Sequence, residues 1–166
     1  NMLSPFDSLI RQGANTLGWD WRLLASLIYQ ESRFLPNGES WAGAKGLMQL
    51  MPRTANEFGA FDLEDPRQSI RAGVGYLNFL QNYWMNKIQD PNERLKFILA
   101  SYNVGLSHVI DARRLAEKYG KDPQVWFDNV EYYLAQKSDP EFYRDPIVTA
   151  GYCKCEEPIG YVRDIL

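Results

Sequence analysis

The chain has 166 residues, enough for one domain with a substantial core, and 45% hydrophobic against 23% charged residues is an ordinary globular balance. Its net charge of −3 argues against a nucleic-acid partner, which usually needs a basic face. No apolar run approaches the roughly 20 residues of a membrane span, and no basic start with a signal-type stretch is present. The chain opens abruptly at Asn1, so the expectation is that an export signal or a further domain has been trimmed away.

Asp-Pro pairs punctuate the sequence at Asp65, Asp90, Asp122, Asp139 and Asp145. Asp is a good helix N-cap and Pro suits the first helical position, whose N–H has no intrahelical partner. Ser4-Pro5 predicts the first helix, with Phe6, Leu9, Ile10, Ala14 and Leu17 on one stripe. Gly18 predicts its end and Asp20 the next start. The pairs at Asp65, Asp90 and Asp122 precede long helical patterns, and Glu93 makes an Asp-type capping box with Asp90. The stripes continue as Ile70, Val74, Leu77, Leu80 and Trp84; Leu95, Ile98, Leu99 and Tyr102; Val109, Ala112, Ala116 and Tyr119; and Trp126, Val130, Tyr133 and Leu134. No alternating strand-like run and no repeat occurs. The expectation is an all-α domain over residues 1–166, of about eight to ten short helices with at most a small β element.

Aromatics reach 14%, with 10 Tyr and 5 Trp. Such rings line carbohydrate clefts, and they equally fill helical cores. Cys153 and Cys155 form a C-x-C pair in which a disulfide would be short and strained. A metal site would need more ligands, and the only His is His108, expected to lie exposed at a helix start. Both cysteines therefore read as structural or incidental.

One carboxylate is out of place. Leu24, Leu27 and Ile28 put Glu31 on the inward stripe of the second helix, in its last turn. Burial and the negative end of the helix dipole both push a carboxyl pKa upward, towards what a general acid requires. The competing reading is a surface Glu at a fraying end, paired with Arg33. Downstream, Ser40 to Pro52 forms a Gly-punctuated loop in which Pro52 biases Met51 to extended geometry. A later helix ends with Tyr102 and Asn103 before Gly105.

Four segments in this order, Glu31-Ser32, Gly46-Leu47-Met48-Gln49 with Met51-Pro52, Tyr102-Asn103 with Gly105, and Tyr161-Val162, resemble the lysozyme-like lytic transglycosylases of the soluble-lytic-transglycosylase domain type. The tail from Glu157 to Val162 looks closest to the membrane-bound lytic transglycosylase F branch. Ser101 and Val104 stand where that family usually has alanine. The resemblance implies a lysozyme-like fold and a cofactor-free enzyme that cuts peptidoglycan glycan strands with Glu31 as its one acid/base. It needs no second carboxylate; Glu39 is expected to be solvated, and Asp62 and Glu64 lie in a polar linker. The resemblance also implies that Ser40 bonds the substrate N-acetyl group, that Gln49 and Met51 line the cleft, that Tyr102 and Asn103 contact sugars, and that the Tyr161 hydroxyl sits near Glu31. Met48 reads as packing and Ser32 as a helix-end hydrogen-bonder. The same resemblance implies a periplasmic protein, with outer-membrane anchoring and an N-terminal solute-binding-like domain in the longer chain. A goose-type-lysozyme-like hydrolase and a catalytically idle glycan-binding module remain the alternatives.

Overall fold

The computed structural model describes residues 2–155 and 157–166, with the backbone alone at 157–159, so the side chains of Glu157, Pro158 and Ile159 in the tail motif lie outside the described residues. Nine α-helices occur among the described residues, and there is no strand. The only β pairings described are single antiparallel bridges between Glu39 and Lys45 and between Lys45 and Leu50. The fold is all-α, and no helix described is long and apolar enough to cross a membrane.

Backbone packing divides the chain into two compact units, residues 1–79 with 165–166, and residues 80–164. In the first, α1 (Asp7–Leu17) and α2 (Trp21–Ser32) pack together, followed by α3 (Pro52–Glu57) and α4 (Pro66–Trp84) as far as Phe79. Ile10, Ala14 and Leu17 of α1 are buried, and Gly18 at φ 74 closes that helix as its sequence requires. Asp20 caps α2 by accepting from Arg22 N at 2.8 Å. The start of α1 differs from expectation. The helix begins at Asp7, whose carboxylate takes Leu3 N at 2.7 Å, Ser4 N at 2.9 Å and Ser4 Oγ at 2.9 Å. Burial alone would raise the Asp7 pKa, but these donors outweigh it and lower it. Ser4 thus organises the turn before the helix rather than capping it.

The second unit takes α4 from Leu80, then α5 (Pro91–Val104), α6 (Leu106–Lys118), a kinked turn Trp126–Val130, α7 (Glu131–Gln136), α8 (Pro140–Tyr143) and α9 (Glu157–Ile165) as far as Asp164. Its core is aromatic: Phe97 stands 5.1 Å from both Trp84 and Trp126, ring to ring. The Trp84 indole N–H donates to Ser101 Oγ at 3.0 Å, and Ser101 is wholly buried. This explains the serine where alanine was expected, because a buried indole N–H needs an acceptor.

Asp65, Asp90 and Asp139 cap their helices through the N–H two residues on. The capping box does not form as expected: Glu93 accepts from Trp126 N at 2.7 Å and pairs with Lys96. Nor does Asp122 start a long helix. It accepts from Gln124 N at 2.8 Å, but Phe127 is extended and Asp128 sits at φ 62, leaving only the six-residue α7. The Trp126 N–H that a helix would organise locally is already held by Glu93.

Candidate active site

Leu24, Leu27 and Ile28 of α2 are wholly buried, and Glu31 follows on their side, half-buried in the last turn. Ser32 is buried with its hydroxyl donating to Ile28 O at 3.2 Å, a helix-end role as read from sequence. Directly after it, Arg33 at φ 56 and Phe34 at φ 61 both adopt the left-handed region. That conformation costs a non-glycine residue about 1–2 kcal/mol. Local contacts hold it. Arg33 Nη1 donates to the Tyr29 hydroxyl at 2.7 Å, its guanidinium lies 4.8 Å over the Tyr29 ring, and Phe34 packs 5.7 Å from the same ring. The chain therefore turns sharply just past Glu31, at strain of the kind that concentrates in functional sites.

The loop that follows is closed by its own backbone. Gly46 N donates to Gly38 O at 2.9 Å, and Lys45 and Leu50 exchange bonds of 3.0 and 3.2 Å. Gln49 sits at φ 50, and its Nε2 donates to Gly38 O and Gly46 O, each at 2.9 Å. The amide nitrogen of Gln49 thus clamps the loop, leaving its carbonyl end for other contacts. A Cβ on Gly38 would meet Gln49 Nε2 at 3.4 Å and Ser32 Cβ at 3.9 Å, so the clamp lies one small residue from the end of α2. Gly46, at φ 85, brings its backbone so close to Leu63 that a Cβ would sit 2.1 Å from the Leu63 carbonyl oxygen. Met48 is wholly buried against Gly73, the packing role read from sequence. Ser40 Oγ accepts from Ala44 N at 3.0 Å, and a hydroxyl so used still has its proton to donate. Met51 is extended at φ −69 and ψ 145, as Pro52 requires, and partly exposed. Glu39 is exposed and faces Lys45 at 3.9 Å.

Of the expected site residues, Glu31, Ser40, Gln49 and Met51 belong to the first unit, and the last three are gathered by one loop. Tyr102, Asn103 and Tyr161 belong to the second. Tyr102 is buried and Asn103 exposed near the end of α5, which stops at Gly105 with φ 100; Tyr161 is buried in α9.

The second unit also holds a polar cluster that sequence reasoning missed. Lys137 and Asp111 are wholly buried, with Nζ 2.7 Å from Oδ2. Asp111 further accepts from Thr149 N, Thr149 Oγ1 and Ala150 N at 2.8, 3.1 and 2.8 Å. Burial would raise the Asp111 pKa, but the ammonium and these donors lower it. His108 is not the exposed residue expected: it is half-buried, with Nδ1 2.7 Å from Lys137 Nζ. Burial, then the Lys137 charge, lowers its pKa against the opposing pull of Asp111. The available signal was Lys137 itself, a cation three residues past Leu134 on an inward stripe. Cys153 and Cys155 are joined as a disulfide.

Residues 8–125 match the transglycosylase SLT domain family. The chain is 43% identical over 164 residues to a membrane-bound lytic murein transglycosylase F of Desulfosudis oleivorans, covering 99% of this chain and 35% of that protein. A protein of the same name in Marinobacter nauticus is 43% identical over 167 residues, covering 99% of this chain and 32% of its own. The chain thus spans about a third of the length of these curated relatives. Among solved structures, the 70 kDa soluble lytic transglycosylase of Escherichia coli superposes with a TM-score of 0.60 at 21% identity, covering 96% of this chain and 22% of that one, which establishes the lysozyme-like fold. A lytic transglycosylase of Pseudomonas aeruginosa, solved as an inactive Glu-to-Gln mutant, gives 0.57 at 25% identity over 87% of this chain and 26% of that one.

Proposed function

The chain belongs to the transglycosylase SLT domain family, and from that premise we propose that it is a peptidoglycan lytic transglycosylase with Glu31 as its acid/base. The observation that carries the reading is a half-buried carboxyl on the apolar side of α2, followed at once by a strained turn and a clamped loop bearing Ser40 and Met51. Two catalytic carboxylates are the usual equipment for glycoside cleavage, but substrate-assisted routes dispense with one. Protonated Glu31 gives its proton to the oxygen between N-acetylmuramic acid and N-acetylglucosamine as the C1–O bond breaks. The 2-acetamido carbonyl oxygen of the muramic acid stabilises C1. The Glu31 carboxylate then removes the proton from the C6 hydroxyl, whose oxygen bonds C1 and closes a 1,6-anhydro ring. No water is consumed, and Glu31 ends protonated as it began.

Ser40 is proposed to donate to the substrate N-acetyl group, which suits a hydroxyl whose oxygen is already fixed by Ala44 N. Met51 offers an apolar contact to the sugar, and the carbonyl end of Gln49 a polar one. Tyr102, Asn103 and Tyr161 enter the proposal singly, through their motifs, as further glycan contacts. The proposal takes residues 1–166 as one catalytic domain needing no cofactor. It extends to a periplasmic location, in keeping with the relatives' names, and to a longer protein with an N-terminal solute-binding-like domain and an outer-membrane anchor. Mass spectrometry of products released from purified sacculi tests the reaction. Products ending in 1,6-anhydromuramic acid are expected; reducing ends throughout would make the protein a hydrolase, and no release would make it a binder.

A further inference from the structure

Four of the five tryptophans are buried or half-buried, whereas Trp41 has 101% of its surface in water. Tryptophan is on average a well-buried residue, so a wholly exposed indole calls for a physical reason. The backbone beneath it is fixed. Gly43 N donates to Ser40 O at 3.0 Å, making Trp41 the second residue of a hydrogen-bonded turn, and Gly43 supplies the positive φ of 98 that closes it. Ser40 N to Ala44 O at 2.9 Å and Ala44 N to Ser40 Oγ at 3.0 Å brace the same turn from below. The ring is thus presented on a preorganised support, which lowers the ordering cost of binding anything to it.

Three features indicate what the ring meets. Ser40, the first residue of the turn, is the proposed donor to a sugar N-acetyl group. A Cβ on Gly43 would lie 3.9 Å from Met51 Cε, so a second apolar contact stands beside the turn. The charged groups of the loop, Glu39 and Lys45, face each other at 3.9 Å and leave no net charge to attract an ionic peptide. Trp41 and Ala42 are exposed on the turn and Met51 is exposed beside it, three side chains where a stable protein interface needs about 20–30 residues a side. The indole face has the size and chemistry to receive a neutral pyranose ring by its C–H face.

We propose that Trp41 is a sugar-stacking platform, holding a ring of the glycan strand next to the one whose N-acetyl group bonds Ser40. This rests on the glycan-cleaving reading above. The platform adds affinity for strands long enough to reach it and takes no part in the proton transfers.

The test uses peptide-free N-acetylglucosamine–N-acetylmuramic acid strands, bound to the protein carrying Glu31→Gln so that they survive, with calorimetry as the readout. Adding Trp41→Ala is expected to weaken binding of long strands about ten-fold, with Trp41→Phe losing less. Strands too short to reach the turn should bind all three proteins equally. Because the ring touches solvent on every side, melting temperatures should coincide. Glycan should also quench the emission of the Glu31→Gln protein more than that of its Trp41→Phe derivative. Equal affinity of the Trp41→Ala protein and its parent for long strands overturns the platform, and makes the ring a contact for some other surface. If the parent binds no glycan and the wild-type protein releases no anhydro products, the underlying reading falls as well; if wild type cleaves and only the Trp41 comparison is flat, the platform alone falls.

Discussion

The loop after Glu31 and the cluster around Asp111 are both built from polar groups, yet they are organised in opposite ways. The loop keeps its carboxylate half-buried, puts Arg33, Phe34 and Gln49 into left-handed backbone, and leaves Trp41 and Met51 to solvent. The Asp111 cluster is closed: a wholly buried carboxylate accepts from one ammonium, two amides and a hydroxyl. Groups proposed to bind a substrate need capacity to spare, as the Ser40 hydroxyl has, and the backbone strain is the cost. In the Asp111 cluster, which only holds the fold, each carboxylate oxygen accepts two bonds.

The comparison is broken most severely at Glu31. Glu31→Gln keeps the size of the side chain but can neither donate an acidic proton nor act as a base, so product release should fall about 10²–10⁴-fold with the melting temperature unchanged or slightly higher. A rate near wild type would remove Glu31 from the chemistry, and Glu39 would then be the carboxylate to test.

In the closed cluster the signature should reverse. Asp111→Ala leaves the Lys137 ammonium buried without its counter-charge, with only His108 Nδ1 still beside it, at about 3–5 kcal/mol of stability by denaturant titration. Adding Lys137→Met should restore part of the loss, since no buried charge then remains. If the double variant is less stable than Asp111→Ala, the pair is more than a mutual neutralisation.

Gln49 lies between these extremes, since its amide clamps the loop that carries Ser40. Gln49→Ala removes two hydrogen bonds of about 1 kcal/mol each, so kcat/KM should fall by up to about thirty-fold as the loop loosens, with a modest fall in melting temperature. Gln49→Glu, with no amide donor, should behave like the alanine variant. A Glu variant with wild-type kinetics would show that the clamp does not matter to turnover.

The smallest effect is a pH slope. The folded-state pKa of His108 is depressed, so the unfolded chain binds its proton first as pH falls through the ordinary histidine range near 6.5. The stability linked to neutral His108 is therefore present above that range and lost as pH drops through the lowered folded value. The melting temperature should decline from pH 7 towards pH 5, and His108→Gln should flatten the decline. Asp111, also depressed, contributes its own loss only at the more acidic pH where carboxylates protonate.

What could be read from the sequence was what is decided within a few residues. Asp20, Asp65, Asp90 and Asp139 cap helices because the N–H they need is two positions away. At Asp145 the same dipeptide makes the same local bond, Ile147 N to Oδ1 at 3.0 Å, yet no helix follows; the other carboxylate oxygen is held by Lys118 at 2.7 Å and Tyr119 at 2.9 Å, residues far back in the chain. Glu93 was misread for the same reason, its partner Trp126 being 33 residues on. At the candidate site, the place of Glu31 on an apolar helix followed from periodicity. The left-handed Gln49 did not, because a glutamine carries no local mark of the backbone it will adopt. Lys137 and His108 were opaque because their partners arrive from other helices.

The bonds from Thr149 and Ala150 to Asp111 make the tail of the chain its own reporter. Thr149 is an exposed residue outside any helix, a place where an amide ordinarily trades its hydrogen for deuterium within moments. Its N–H, and that of Ala150, instead point at a carboxylate closed off from water. These two amides should exchange at the pace of core helices, a slow pair set in fast surroundings. Any event that loosens the buried charges between α6 and α7 would appear first as deuterium uptake there, before spectroscopy of the helices registered a change.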